Sequence, residues 1–167
     1  MLKRFVIFVF LTAFIVIGCS SFSIHTDYDQ SADFSGYDTF GWVKHKKVRM
    51  DRKGLMNAKI RSAVRAELES KGMRFVERAP DLLVNYHFGV RDKIDVDVYG
   101  YGYRPGWKRR VVRHYKEGTL VLDIVDFSKK HLVWRGSASG IIGPPADAQA
   151  KMAEAVAGIL KEYPPSQ

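Results

Sequence analysis

Apolar and polar residues alternate with a period of two along much of the chain. Leu82, Val84, Tyr86, Phe88 and Val90 fall on one side of an extended segment, and Leu83, Asn85, His87, Gly89 and Arg91 on the other. The alternation resumes through Ile94, Val96 and Val98, with Asp95 and Asp97 facing away. Residues 119–127 form a second, strongly apolar strand. The short turn Ser128-Lys129-Lys130 leads from it into residues 131–142, so these two strands are expected to make a hairpin. Shorter strands are expected over 23–28, 37–43 and 74–77.

Two segments switch to the helical period. Met56, Ile60, Ala63, Val64 and Leu68 form one apolar stripe, opposed by Lys59, Arg61, Arg65 and Glu69. Glu67 and Lys71 stand four apart in the favourable order, and Gly72 is placed to cap the C-terminus. The second helix follows Pro144-Pro145 with Asp147 as N-cap. Its stripe is Ala148, Met152, Ala155, Val156, Ile159 and Tyr163, and Pro164-Pro165 stops it. Two amphipathic helices and several half-apolar strands are most economically buried as an α+β sandwich, a largely antiparallel sheet with both helices on one face. No repeat or long linker divides the chain. Residues 24–163 are expected to be one domain, and 164–167 a C-terminal tail.

The first residues follow a different logic. Lys3 and Arg4 precede residues 5–17, which are apolar except for Thr12. As a helix this run rises only about 20 Å, short of the ~30 Å hydrocarbon core of a bilayer. That length fits the apolar region of a signal peptide. The segment ends in Val16-Ile17-Gly18-Cys19, which resembles the lipobox of bacterial lipoproteins. The resemblance implies cleavage between Gly18 and Cys19, diacylglycerol on the Cys19 sulfur, and usually a third acyl chain on the new amino terminus. Residues 1–18 would be the lipoprotein signal peptide and 19–23 the lipidated N-terminus and a short tether. The other reading is an ordinary buried cysteine behind an uncleaved anchor. At about 0.8 kcal/mol per buried methylene, two or more acyl chains make anchoring effectively permanent. Ser20 rather than an Asp follows the cysteine, which in lipoprotein sorting points to the outer membrane, facing the periplasm.

Composition sharpens this. With 167 residues, 46% apolar and 13% aromatic, the chain can bury one sizeable core and is not of the disordered class. A single cysteine excludes a disulfide framework and a cysteine-based metal cluster. The formal charge is +9, falling to +7 once Lys3 and Arg4 leave with the signal peptide.

Three blocks resemble one bacterial lipoprotein family, that of domain of unknown function 4136. They are Ala32-Asp33-Phe34-Ser35-Gly36-Tyr37-Asp38-Thr39-Phe40-Gly41-Trp42, Asp81-Leu82-Leu83-Val84-Asn85-Tyr86-His87, and the stretch from Gly118-Thr119-Leu120 through Asp126 to Leu132-Val133-Trp134-Arg135-Gly136-Ser137-Ala138. The similarity covers about residues 24–163. It implies a lipid-anchored envelope protein and supplies no catalytic residues. The shared residues read as structural: Phe34, Tyr37, Trp42 and Trp134 in the core, Asp126 in a turn.

Catalytic chemistry is sparse. His25, His45, His87, His114 and His131 include no helical metal pair. His87, mid-strand beside Asn85, is the one histidine with a conceivable role as base or ligand. Gly136-Ser137-Ala138-Ser139-Gly140 has Ala138 where a nucleophile elbow needs its serine. Asp92, Asp95 and Asp97 are oxygen-rich but lack the turn glycines and convergence of a calcium loop. Gly100, Gly102 and Gly106 lack the dinucleotide fingerprint. No enzyme activity is expected, and no cofactor beyond the covalent lipid on Cys19.

Surface character remains. Tyr99, Tyr101, Tyr103, Arg104, Trp107, Lys108, Arg109, Arg110 and Arg113 form an aromatic and basic segment threaded with glycines, which reads as a loop. Either it is a long hairpin whose aromatics fold back over the sheet, or it is a contact loop for a protein, glycan or anionic headgroup, since Tyr, Trp and Arg dominate binding hot spots. A second basic run, His45 to Arg49 with Arg52 and Lys53, reads as a solvated loop. The leading expectation is a non-enzymatic envelope binding or scaffold module, anchored to the membrane and contacting an envelope protein through the aromatic-basic loop. The alternative is an electrostatic binder of anionic lipid headgroups, lipopolysaccharide or cell-wall glycan. A metal-dependent hydrolase using His87 or the three aspartates is the third. Nucleic acid is not expected as a partner, because an envelope address keeps the domain away from it.

Overall fold

The computed structural model describes residues 22–43, 52–100, 108–143 and 148–165. In chain order these form β1 (Ser23–Tyr28), a single 3-10 turn (Phe34–Gly36), β2 (Thr39–Trp42), α1 (Arg52–Ser70), β3 (Arg74–Phe75), β4 (Leu82–Gly100), β5 (Lys108–Asp126), β6 (His131–Ile142) and α2 (Ala148–Lys161). The six strands make one sheet in the order β1-β6-β5-β4-β2-β3. Pairs β1–β6, β6–β5 and β5–β4 are antiparallel, and β2 runs parallel to both β4 and β3. The fold is α+β, mostly antiparallel, as the pattern predicts.

Register explains which residues are buried. Leu82, Val84 and Phe88 of β4 stand opposite Asp126, Ile124 and Leu120 of β5, and Ile124 and Leu120 stand opposite Trp134 and Ala138 of β6. These positions share one face, and there they join Ile60, Val64 and Leu68 of α1 and Val156, Ile159 and Leu160 of α2 in a single buried cluster. The residues between them face the other way and stay polar or half-exposed. A bulge between Ile124 and Val125 places one extra residue on β6, so that the neighbours Val133 and Trp134 are both buried. Gly136 makes this packing possible, because a Cβ there would lie 2.3 Å from the Trp134 ring and 2.4 Å from Ile159. α1 ends in a Schellman cap: Gly72, at φ +89°, donates to the Glu69 carbonyl at 3.0 Å and Met73 to that of Leu68 at 3.1 Å.

The base of the sheet is tied by two carboxylates from the blocks that carry the family resemblance. Asp126 accepts from the Ser128 hydroxyl (2.7 Å) and from the Ser128 and Lys129 backbone amides (both 2.8 Å), closing the β5–β6 turn. Its other oxygen accepts from the Tyr37 hydroxyl at 2.9 Å. Asp81 accepts from the Thr39 amide (2.8 Å), the Thr39 hydroxyl (2.6 Å) and the Asp38 amide (3.1 Å). Three stretches far apart in sequence are thereby locked together. Beside them Phe34, Tyr37, Trp134 and Tyr163 pack edge to face, with centroids 5.5–6.1 Å apart. Burial raises the Tyr163 phenol above its usual range, and burial with the Asp126 carboxylate pushes that of Tyr37 up to about 12.

Candidate functional site

At the opposite end, β4 and β5 outrun everything else. They pair without interruption from Leu82↔Asp126 to Gly100↔Lys108. β6 accompanies β5 only as far as Lys116↔Ile142, and β2 accompanies β4 only to Trp42↔Val84. Beyond Asp92 and Lys116 the sheet is therefore a two-stranded ribbon. From Asp92 to Gly100, at about 3.4 Å per residue, it projects about 27 Å past the last pairing with β6.

This geometry fits the long-hairpin reading of the segment and corrects only the extent of its loop. Tyr99, Lys108, Arg109, Arg110 and Arg113 lie on paired strands, and the connection is the shorter stretch 101–107. The segment 108–118 has no apolar alternation to announce it; its strand character comes from pairing, residue for residue, with β4. Tyr101, Tyr103, Arg104 and Trp107 lie outside the described residues, as do Gly18, Cys19, Asp147 and residues 44–51. The lipidation site and the tip of the aromatic-basic segment are thus placed by sequence alone.

An apolar stripe runs from the root of the ribbon onto it and is exposed among the described residues. Val90, Ile94 and Val112 are 49%, 62% and 50% exposed and share the face that is buried lower in the sheet. On the other face Lys93 pairs with Glu117 at 3.2 Å, and Asp95 stands opposite Arg113. Isolated two-stranded ribbons are marginal in water, so the exposed Val and Ile make this one a candidate contact surface. Charge adds to this. Between Arg91 and Glu117 the sequence has eight Lys and Arg against four Asp and Glu, a net +4 of the chain's +9.

The residues considered for catalysis do not converge. By register Asp92 lies on the Val90 side of the ribbon while Asp95 and Asp97 lie on the other, so the three carboxylates do not share a face. Among the described residues no group of three or more His, Cys, Asp and Glu is placed to hold a metal ion. His87 is exposed on the helix-free face, its Nε2 3.0 Å from the Asn85 amide nitrogen and 4.0 Å from Asp123. Asp123 is itself held by Arg135 through a two-pronged contact of 2.5 and 3.0 Å, which raises the guanidinium pKa. That carboxylate is engaged in pinning β5 to β6 rather than in activating an imidazole. Sequence reading missed the Asp123–Arg135 clamp, because residues twelve apart face each other only once the hairpin register is known. Ser137 and Ser139 sit on a regular strand flanking buried Ala138, with no strained turn.

Comparison with known proteins follows the same lines. Residues 24–165 match the family defined as Domain of unknown function (DUF4136). No curated protein matches the sequence. Among solved structures, a PDZ domain protein from Parabacteroides distasonis superposes with a TM-score of 0.60 at 14% identity, over 86% of this chain. The match spans only 36% of that protein's length. A PelC dodecamer from Paraburkholderia phytofirmans superposes with a TM-score of 0.50 at 11% identity, over 87% of this chain and 99% of that one. At these identities the likeness is one of fold.

Proposed function

The chain belongs to the family of domain of unknown function DUF4136, and from that premise we propose that it is a lipid-anchored cell-envelope protein that binds a partner protein through its projecting β-ribbon. The observation that carries the reading is the ribbon itself, long, doubly stranded, and bearing exposed Val90, Ile94 and Val112. Sequence supports the anchor. The lipobox-like Val16-Ile17-Gly18-Cys19 provides a lipidated cysteine four residues before β1, on the outer membrane and facing the periplasm. A domain held this close to a membrane gains reach from a projecting ribbon, and Tyr, Trp and Arg, in which its outer sequence is rich, are the side chains that anchor interfaces. The module is non-enzymatic in this reading, consistent with Asp123 being bound by Arg135 and His87 standing on an open sheet face. The net +4 of the ribbon favours one alternative occupant, an anionic headgroup or glycan, with the charge acting over a Debye length.

In-cell photocrosslinking tests it, with a photoreactive amino acid at Trp107 or Ile94 and a control at Lys59 on α1. A discrete protein adduct from the ribbon positions alone is the expected result. A lipid or glycan smear would transfer the reading to the anionic surface, and silence at both ribbon positions would overturn it.

A further inference from the structure

At the root of the ribbon the sheet and the helices do not close fully over one another. They leave an apolar cavity of about 140 Å³, open on one side. Leu120 and Ala138 of the sheet and Met152 and Ala155 of α2 line its interior, all buried. Val90 and Ile141, 49% and 56% exposed, mark the mouth. Among the described residues the one charged side chain in the lining is Lys151, whose Nζ donates to the Ile141 carbonyl at 3.1 Å and is thereby held at that mouth.

We propose that this cavity binds a medium-chain fatty acid, hydrocarbon inward and carboxylate at Lys151. Size sets the chain length: a hydrocarbon-lined cavity of about 150 Å³ stays dry and takes up benzene, so this one accepts about six carbons. The lining excludes polar ligands, since its interior side chains offer no hydrogen-bond partner, and two methionines, Met56 and Met152, let it adapt to a flexible chain. Charge selects the head group. An ammonium with three donors at the rim of an otherwise apolar site complements an anionic amphiphile and gives nothing to a neutral apolar side chain. The cavity's place in the chain agrees with this, because Phe22 in its wall lies three residues after Cys19, within about 11 Å of extended chain. Only that last point rests on the proposed anchor.

The test uses the full chain in phosphatidylcholine nanodiscs, with octanoate and 1-octanol as probes and empty nanodiscs to subtract partitioning. Octanoate is expected to raise the unfolding temperature saturably, and octanol several-fold less effectively at equal concentration. Lys151→Gln should abolish that preference for the acid. Ala155→Leu, which fills the cavity, should abolish both shifts; Ile141→Glu, at an exposed position that cannot disturb folding by packing, should abolish the octanoate shift. A diazirine fatty acid should label peptides containing Met56, Ile141 and Met152. No saturable shift, shifts unchanged in Ala155→Leu and Ile141→Glu, or labelling spread over the surface would overturn the proposal. Crosslinking from Trp107 is indifferent to these substitutions, so failure here leaves the ribbon reading standing, and the converse.

Discussion

Replacing Asp126 by Asn removes one charge from a site that was built around it. The carboxylate is only 5% exposed and receives two backbone amides, the Ser128 hydroxyl and the Tyr37 hydroxyl. The amide of Lys129 and the hydroxyl of Ser128 are the main reasons its pKa is lowered from 3.8 to about 2. A depression of that size corresponds to roughly 2 kcal/mol of stability in the ionised form. Because the folded pKa lies below the unfolded one, this stability is fully present above about pH 4 and is lost as pH falls through about 2. Asp126→Asn should therefore lower stability at pH 7 by roughly 2 kcal/mol, or about 6–8 °C in Tm for a domain of this size. The gap to the wild type should close between pH 4 and pH 2. Tyr37→Phe removes only one of the bonds and should cost about 1 kcal/mol. Urea unfolding followed by tryptophan fluorescence reads all of this, since Trp134 is buried beside Tyr163. A pH-independent difference between Asp126→Asn and wild type, or one below about 0.5 kcal/mol at pH 7, would refute the role of the charge.

Other substitutions test other levels of the structure. Gly136→Ala should destabilise the domain by about 1–3 kcal/mol through overpacking against Trp134 and Ile159, measured by the same unfolding curves. Cys19→Ser should abolish palmitate incorporation and release the protein from the membrane pellet, while residues 22–165 keep their circular dichroism.

Much of the fold was legible in the sequence, because burial on one face imposes a period that the residues themselves display. Leu82 to Phe88 alternate as expected, Ile60, Val64 and Leu68 form the buried stripe of α1, and Ser128-Lys129-Lys130 turns β5 into β6. What lacked that signature was missed. The outer half of β5 reads Lys108-Arg109-Arg110-Val111-Val112-Arg113-His114, a sequence without apolar alternation, and only its pairing with β4 makes it a strand. Arg61 and Arg65 were expected on the polar side of α1. Instead their guanidinium groups lie over the rings of Trp42 and Phe75, each at 4.7 Å, because long side chains carry charge across apolar surface that local sequence cannot locate. The proposed contact surface was half visible. Its aromatic and basic composition stood out, but the ribbon that carries it depends on nineteen cross-strand pairs formed between residues up to 44 apart.

On the proposed binding role, the ribbon should be dispensable for folding. Joining Arg91 to Glu117 through an Asn-Gly turn removes residues 92–116 and leaves the buried cluster untouched, since none of its residues lies in that span. Expressed in cells with its anchor intact, this shortened chain should unfold within a few degrees of the full one and lose the partner protein that the full chain retains on affinity purification after formaldehyde crosslinking. Retention of partner capture after removal of the ribbon, with the domain still folded, would contradict the assignment of the ribbon as the binding surface.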